Sequence, residues 1–161
     1  MTTAQKDIAL LIQRDTCQRS RAAEPVRRLL AEACGECAAL GTCLWLLSPD
    51  GQHLDATFNS GPARQTMESA SVRVADSVVG MVASTGTAAS IGPEDYHNPE
   101  IDRETGIETR AMIVAPVFVR SELCGVVSAI NPSAAEIFSG EDLKKLQWKA
   151  YLIGLVLADQ L

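Results

Sequence analysis

The most constraining feature of this chain is a pair of apolar runs in its second half. Residues 112–119 read MIVAPVFV, residues 123–130 read LCGVVSAI, and only Arg120, Ser121 and Glu122 separate them. Apolar runs of this length, rich in β-branched residues and joined by a short polar turn, predict an antiparallel hairpin. A segment dense in acidic and amide side chains, residues 94–110, leads into this hairpin. The sequence therefore predicts a charged loop attached to a buried sheet.

Three polar side chains of this loop, Asp102, Thr105 and Thr109, follow one another at spacings of three and four. With this spacing, one helical turn can aim a carboxylate and two hydroxyls at a common point. Small-molecule pockets obtain their few polar contacts from such convergent groups. The alternative is that these residues only cap a short helix and solvate a surface loop.

The rest of the chain alternates helical and strand patterns. Residues 4–40 carry apolar residues every three or four positions, which predicts one long helix, or two broken near Pro25, ending at Gly41. Apolar runs between turn residues predict strands at 42–47, 54–58, 71–75 and 88–91, and capping residues predict helices at 77–84 and after Ser139. We expect an α+β fold, with an N-terminal helical segment at 1–40 and a ligand-binding domain at 41–161.

The predicted sheet is antiparallel, with five to six strands and helices packed on it. The last helix places its apolar side chains on one stripe, formed by Leu143, Leu146, Ala150, Ile153 and Leu157. The first and last helices have more apolar positions than one sheet face needs, which favours a bundle of the terminal helices.

Composition limits the classes of partner. The formal net charge of −6 argues against nucleic acid, because phosphate binding needs a basic surface. The longest apolar stretch, residues 150–158, is far shorter than the roughly 20 residues of a membrane span, and the N-terminus has no signal-peptide pattern. We expect a soluble, cytoplasmic protein. Its five cysteines, an odd number, predict reduced thiols rather than a disulfide framework.

Short pieces spread over roughly residues 42–160 resemble GAF domains in the right order. They are SVVGMVA (77–83), TG (85–86), NPEIDRETG (98–106), TRAM (109–112), APV (115–117), CGVV (124–127) and IN (130–131). The nearest resemblance is to the regulatory GAF domains of cyclic-nucleotide phosphodiesterases and adenylyl cyclases. It implies a GAF/PAS-like fold that senses a small molecule, dimerises through its terminal helices and acts on a downstream signalling protein.

The resemblance also implies positions for a ligand. In cyclic-nucleotide-binding GAF domains, residues on three strands, at the start of the middle helix and in the charged loop surround the nucleotide. The matching positions here are Cys43, Phe58, Asn59, Val78, Val79, Asp102, Thr105, Thr109 and Ser128. An Asn-Lys, Phe and Asp-Glu pattern of the family is incomplete, because Asn131 and Phe138 remain while Pro132 replaces the lysine. The implied ligand is a cyclic nucleotide or another small metabolite, and a ligand-free dimerisation module is the alternative.

Cysteine chemistry supplies two further alternatives. Cys34 and Cys37 form a C-x-x-C pair, which we interpret as two buried packing residues rather than a thiol-based redox sensor. No second pair or nearby histidine completes a metal site. Free methionine sulfoxide reductases share this fold and need cysteines around the pocket, where Cys43 and Cys124 are the candidates. No nucleophile, base and acid constellation, phosphate loop or chromophore-attachment motif is present. We therefore expect no enzyme activity, no metal and no certain cofactor.

Overall fold

The computed structural model describes residues 1–161 and contains one six-stranded antiparallel sheet. Its strand order is β3-β2-β1-β6-β5-β4. The strands are β1 (Ala39–Leu47), β2 (His53–Ser60), β3 (Ser71–Arg73), β4 (Ala89–Ile91), β5 (Met112–Val119) and β6 (Glu122–Pro132). The hairpin expected from the two apolar runs is present as β5 and β6, with Arg120 and Ser121 in the left-handed region at the turn. The α+β class is confirmed.

Seven α-helices accompany the sheet. They are α1 (Thr3–Leu11), α2 (Arg14–Gln18), α3 (Ala23–Glu36), α4 (Arg64–Met67), α5 (Val78–Thr85), α6 (Glu100–Thr105) and α7 (Gly140–Ala158). The expected strands and the two expected helices of the second half are all found. No helix combines the length and the apolar character that crossing a membrane requires.

The two faces of the sheet carry different layers. We call the face that packs against α1, α2, α3 and α7 the helix face, and it includes Leu44 and Val127 of the larger core cluster. We call the other face the cavity face, and it includes Trp45 and Val126 of a smaller cluster with α5. Because side chains alternate along a strand, neighbouring residues of β1 and β6 serve opposite layers.

The N-terminal segment forms three helices rather than the one or two expected. A single helix over residues 4–40 would be about 55 Å long and would extend past the sheet. The breaks let the chain turn so that Ile8, Ile12 and Cys17 all join the helix-face core. Pro25 causes no break, because it lies in the first turn of α3, where proline is tolerated.

The expectation that Gly41 ends the N-terminal helix is also wrong. Helix α3 ends at Glu36, and Gly41 lies inside β1. A Cβ atom at Gly41 would be 3.1 Å from the backbone oxygen of Ser60 on β2. The glycine therefore serves close strand packing and not helix termination.

The C-terminal helix α7 forms as its sequence predicts. The Ser139 hydroxyl accepts a hydrogen bond from the Asp142 amide, and the Asp142 carboxylate accepts one from the Ser139 amide, which makes a capping box. Helix α7 packs against α3 of the same chain. There the buried Lys149 Nζ lies 2.7 Å from Glu32 Oε2 and 3.3 Å from Glu36 Oε1.

Candidate functional site

A cavity lies between the cavity face of the sheet and the charged loop. Its volume, measured over the positions open to the centre of a water molecule, is about 90 Å³. One water needs roughly 10–15 Å³ by this measure, so the cavity has room for several waters. Its lining includes all of the predicted site residues except Phe58, namely Cys43, Asn59, Val78, Val79, Asp102, Thr105, Thr109 and Ser128.

The loop that covers the cavity is held by Asp102. Its carboxylate accepts hydrogen bonds from the Thr109 amide (2.8 Å) and the Thr109 hydroxyl (2.7 Å), and it lies 2.9 Å from His97 Nε2. Burial raises the pKa of this carboxyl, but the hydrogen bonds from Thr109 and His97 outweigh burial, and the net pKa is below its ordinary value. Asp102 is therefore ionised at neutral pH and ties both ends of the loop together.

Thr105 serves the loop rather than the centre of the cavity. Its hydroxyl donates to the Ile101 carbonyl at 2.9 Å and accepts from the Ile107 amide at 3.2 Å. Gly106 follows in the left-handed conformation and ends α6. These residues therefore both cap a short helix and line the cavity.

Asn131 fixes the exit of the loop. Its side-chain oxygen accepts from the Arg110 amide at 2.7 Å, and its side-chain nitrogen donates to the Glu108 carbonyl at 2.8 Å. Asn131 is 4% exposed and has a positive φ of 54°, a conformation that asparagine tolerates better than most residues. The family pattern includes this residue, and in the structure its side chain holds the end of the loop in place.

The aromatic ring in the cavity wall is Trp45, which the sequence reasoning missed. Its Nε1 donates a hydrogen bond of 2.9 Å to the Ser128 hydroxyl, and both residues are buried. The alternation of β1 contained the signal, because Trp45 lies two positions after Cys43 and must share its face. Ser128 is thus both a predicted site residue and the partner that orients the indole.

Phe58 does not lie in the cavity, contrary to the expectation that it is one of the ligand-binding residues. The pairing of β1 with β2 passes from Leu44 and Phe58 to Trp45 and Ala56, so Thr57 is the extra residue of a β-bulge. The bulge shifts the alternation, and Phe58 points into the helix-face core while Asn59 reaches the cavity. The Arg27 guanidinium lies 4.6 Å from the centroid of the Phe58 ring.

Asn59 is a polar residue of the cavity wall that retains unused bonding capacity. Its backbone amide donates to Glu68 Oε2 at 2.9 Å, whereas its side-chain amide makes no hydrogen bond to the protein although the residue is only 8% exposed. Neither polar atom of this amide is sealed from solvent, so both can bond to water or to a ligand in the cavity. Nearby, the first-turn amides of Val78 and Val79 have no acceptor within α5, as at any helix start.

The cysteines are divided between the two faces. Cys43 lines the cavity, while Cys124 and Cys17 belong to the helix-face core. Burial raises the pKa of Cys43, raises that of Cys124 to about 12 and raises those of Cys17 and Cys37 to about 11. The prediction that Cys43 and Cys124 both sit near the cavity is therefore wrong for Cys124, because the sheet separates them.

Metal ligands do not gather anywhere in the chain. No group of three or more His, Cys, Asp or Glu side chains is placed to hold an ion. His97, the one histidine at the cavity, is engaged by Asp102. Polar groups of the cavity wall that keep bonding capacity for a ligand include the Asn59 amide, the Ser128 hydroxyl and the amides at the start of α5.

Several solved structures share this fold. The GAF-B domain of DevS from Mycobacterium smegmatis is 20% identical, with a TM-score of 0.67 over 84% of this chain and 92% of that one. The GAF domain of an Acinetobacter phosphoenolpyruvate-protein phosphotransferase is 15% identical, with a TM-score of 0.71 over 99% and 96%. A type II free methionine-R-sulfoxide reductase from Thermoplasma acidophilum is 15% identical, with a TM-score of 0.60 over 84% and 94%.

At these identities the structural similarity establishes the fold alone. The family model described as "GAF domain" matches residues 19–157, which is most of the chain and includes every residue of the cavity wall discussed above. The chain therefore belongs to the GAF domain family.

Proposed function

We propose that this chain is a sensory regulatory domain that binds a small metabolite under the loop 94–110. The observation that carries the proposal is a cavity whose cover is tied down by Asp102 and whose wall contains an Asn59 amide that makes no hydrogen bond to the protein and is open to solvent. Ligand binding would stabilise the closed loop further, and the closed loop would favour one arrangement of the sheet and its terminal helices.

The cavity suggests the chemistry of the ligand. Its wall is largely apolar, with the Trp45 ring on the sheet side and Val78 and Val79 beside it. The Asn59 amide can pair with an amide-like edge, and the free amides of α5 suit an acceptor or anionic group. A small flat heterocycle meets both requirements. Cyclic nucleotides have these features, and so do smaller heterocyclic metabolites.

A test of the sensor proposal uses defined probes and the two tryptophans of the chain. The Trp148→Phe variant leaves Trp45 in the cavity wall as the sole indole. Cyclic AMP, cyclic GMP, free purines and small anions are titrated separately. A binding probe should raise the melting temperature with increasing concentration and change the Trp45 emission. If no probe changes either signal, the sensor proposal gives way to a ligand-free dimerisation module.

The Asn59→Leu variant provides the matched control. Leucine has a similar size, and the asparagine amide has no protein partner to lose, so the variant should fold. A probe that binds under the loop should lose at least tenfold in affinity, because the ligand's polar edge is then left unpaired. Equal affinity in the variant would place the probe elsewhere on the protein.

The proposal also includes a homodimer formed through the terminal helices and a downstream signalling protein that responds to it. The resemblance to regulatory GAF domains supports both, since a change in helix packing needs a partner to receive it. Replacing the exposed Leu10 and Leu11 of α1 by glutamate tests the part of the N-terminal segment without removing its buried core residues. A dimer that persists in this variant would exclude that face of α1 from the interface.

A free methionine sulfoxide reductase is the second candidate, because the Thermoplasma acidophilum protein shares the fold. Cys43 is the one cysteine that lines the cavity, and burial holds its pKa above the ordinary value, which disfavours the thiolate that attacks a sulfoxide. An assay with free methionine sulfoxide and dithiothreitol decides this point. Turnover that disappears in Cys43→Ser would establish the enzyme, and its absence in the unmodified chain would remove it.

A further inference from the structure

The outer face of α7 carries an apolar stripe that nothing in the chain covers. Trp148, Tyr151 and Leu155 are 58%, 57% and 53% exposed, and they follow one another at spacings of three and four. The opposite face of the same helix is buried through Leu146, Ile153 and other residues of the helix-face core. A helix on the surface of a monomer normally presents polar residues to water, so this second stripe is an interaction surface.

The stripe has the properties of an interface centre. The rings of Trp148 and Tyr151 stack with centroids 5.5 Å apart and an interplanar angle of 21°. The stacked rings therefore form a rigid surface. Tryptophan and tyrosine are among the residues that contribute most of the binding energy in protein interfaces. A small molecule would need a concave site, whereas this is the convex side of a helix. The partner is therefore another protein surface.

Charges at the two ends of the stripe identify the partner. Lys144 lies four residues before Trp148, and Asp159 lies four residues after Leu155, with both charged residues flanking the exposed face. Lys144 and Asp159 lie at equal distances along the helix from the point between Tyr151 and Leu152, and so do Trp148 and Leu155. Two copies related by a twofold axis through this point would bring each Lys144 to Asp159 of the other copy and each Trp148 to Leu155. In a parallel pair, Lys144 would instead face Lys144.

We propose that α7 pairs antiparallel with α7 of a second copy of this chain through Trp148, Tyr151 and Leu155, closed at both ends by Lys144 and Asp159. This deepens the homodimer part of the proposed function by giving it an interface and a direction. The stripe from Lys144 to Asp159 is about 22 Å long, which is less than a standard interface of roughly 800 Å² per partner requires. The expected dimer is therefore weak and dependent on concentration.

Sedimentation equilibrium of the full chain measures this dimer. The unmodified chain should dimerise with a dissociation constant in the range of about 1 µM to 1 mM. Trp148→Ala should weaken dimerisation about tenfold or more, because it removes the largest side chain at the centre. Arg73→Glu, an exposed charge change on β3 at the far edge of the sheet, should have no effect. A chain that is monomeric throughout, or a dimer indifferent to Trp148→Ala, overturns the proposal.

A charge-exchange cycle tests the direction. Lys144→Glu and Asp159→Lys should each weaken the dimer, and the double variant should restore it, because opposite charges meet again in the antiparallel pair. In a parallel pair the double variant only exchanges one set of like charges for another, so a failure of rescue overturns the antiparallel arrangement. Melting curves of each variant verify folding.

The dimer test and the ligand test fail independently. The Asn59→Leu variant leaves α7 unchanged, and the α7 variants leave the cavity wall unchanged. An unmodified chain that is monomeric in sedimentation but melts at a higher temperature with a probe refutes the interface alone. A dimer with no response to any probe refutes the sensor alone.

Discussion

The carboxylate of Asp102 accepts two hydrogen bonds from Thr109, one of 2.8 Å from the backbone amide and one of 2.7 Å from the hydroxyl. These bonds connect α6 to the start of the hairpin and close the cover of the cavity. Asp102 is half-buried and has a third contact with His97, so no single ligand group is needed to keep the loop in place. The loop is therefore closed without a ligand, and opening it costs the free energy of the Asp102 contacts.

Replacing Asp102 by alanine should open the loop. The variant leaves the Thr109 amide and hydroxyl without their acceptor, and the loss should be about 1–3 kcal/mol of unfolding free energy. Amide hydrogen exchange of residues 97–109 should rise more than that of β5 and β6. Glu104→Ala is the control, because Glu104 lies on the same helix, is exposed and makes no hydrogen bond to the protein. Equal exchange in both variants would contradict the role of Asp102.

Stability should fall at acidic pH through two carboxylates. Burial raises the pKa of Asp102, but the hydrogen bonds from Thr109 and His97 outweigh burial and hold it below its ordinary value. Hydrogen bonds from Arg27 and the Asn59 backbone amide likewise hold the pKa of Glu68 below its ordinary value despite burial. Because the folded pKa values are depressed, the stabilisation is complete above these ordinary values and is lost as the pH falls below them.

Urea unfolding between pH 3 and pH 7 measures this dependence. The Asp102→Asn and Glu68→Gln double variant should show a flatter profile than the unmodified chain, since neither amide side chain titrates. Glu104→Gln should retain the original slope. An unchanged profile in the double variant would show that other carboxylates cause the acid dependence.

Ser128→Ala should loosen the cavity wall. It removes the acceptor of the buried Trp45 indole, which should cost about 1–3 kcal/mol of unfolding free energy. In the Trp148→Phe background, the emission of Trp45 should change as well. Ser90→Ala, an exposed serine on β4, should change neither quantity. An unaltered emission spectrum would argue against the hydrogen bond.

Two glycines in helices should respond in opposite ways to alanine. A Cβ at Gly154 would collide with the backbone oxygen of Phe118 on β5, so Gly154→Ala should push α7 from the sheet and destabilise the fold by about 1–3 kcal/mol. A Cβ at Gly35 would meet nothing within 4 Å. Gly35→Ala should be neutral or stabilise by up to about 1 kcal/mol. Thermal unfolding of both variants tests the close contact of α7 with β5.

The thiols should react slowly in the folded protein. All five are free, four are buried, and burial raises the pKa of each, which leaves little thiolate at neutral pH. A thiol reagent at pH 7.5 should modify the half-buried Cys34 first, and Cys34→Ser should abolish that first reaction. All five should react after denaturation. Rapid oxidation of Cys34 and Cys37 to a disulfide would instead support the redox-sensor alternative.

The elements that rest on local pattern were predictable from the sequence. The hairpin of β5 and β6 follows from two apolar runs and a short turn, and α7 follows from the Ser139 cap and an apolar stripe. The contact of Asp102 with Thr109 did not follow from helical spacing, because α6 ends at Thr105 and Thr109 lies beyond the left-handed Gly106. The N-terminal breaks were not predictable, since they depend on how far the chain must turn to stay on the sheet.

The composition of the cavity wall was decided only by the tertiary structure. The bulge at Thr57 turns Phe58 away from the cavity face and places Asn59 there instead. The pairing of β1 with β6 places Trp45 beside Ser128. A bulge depends on how well two strands pack against each other and against the layers that cover them. These contacts join residues that are distant in sequence. Local periodicity therefore determined which segments form strands and helices, whereas the packing of two layers against one sheet decided which side chains a ligand would meet.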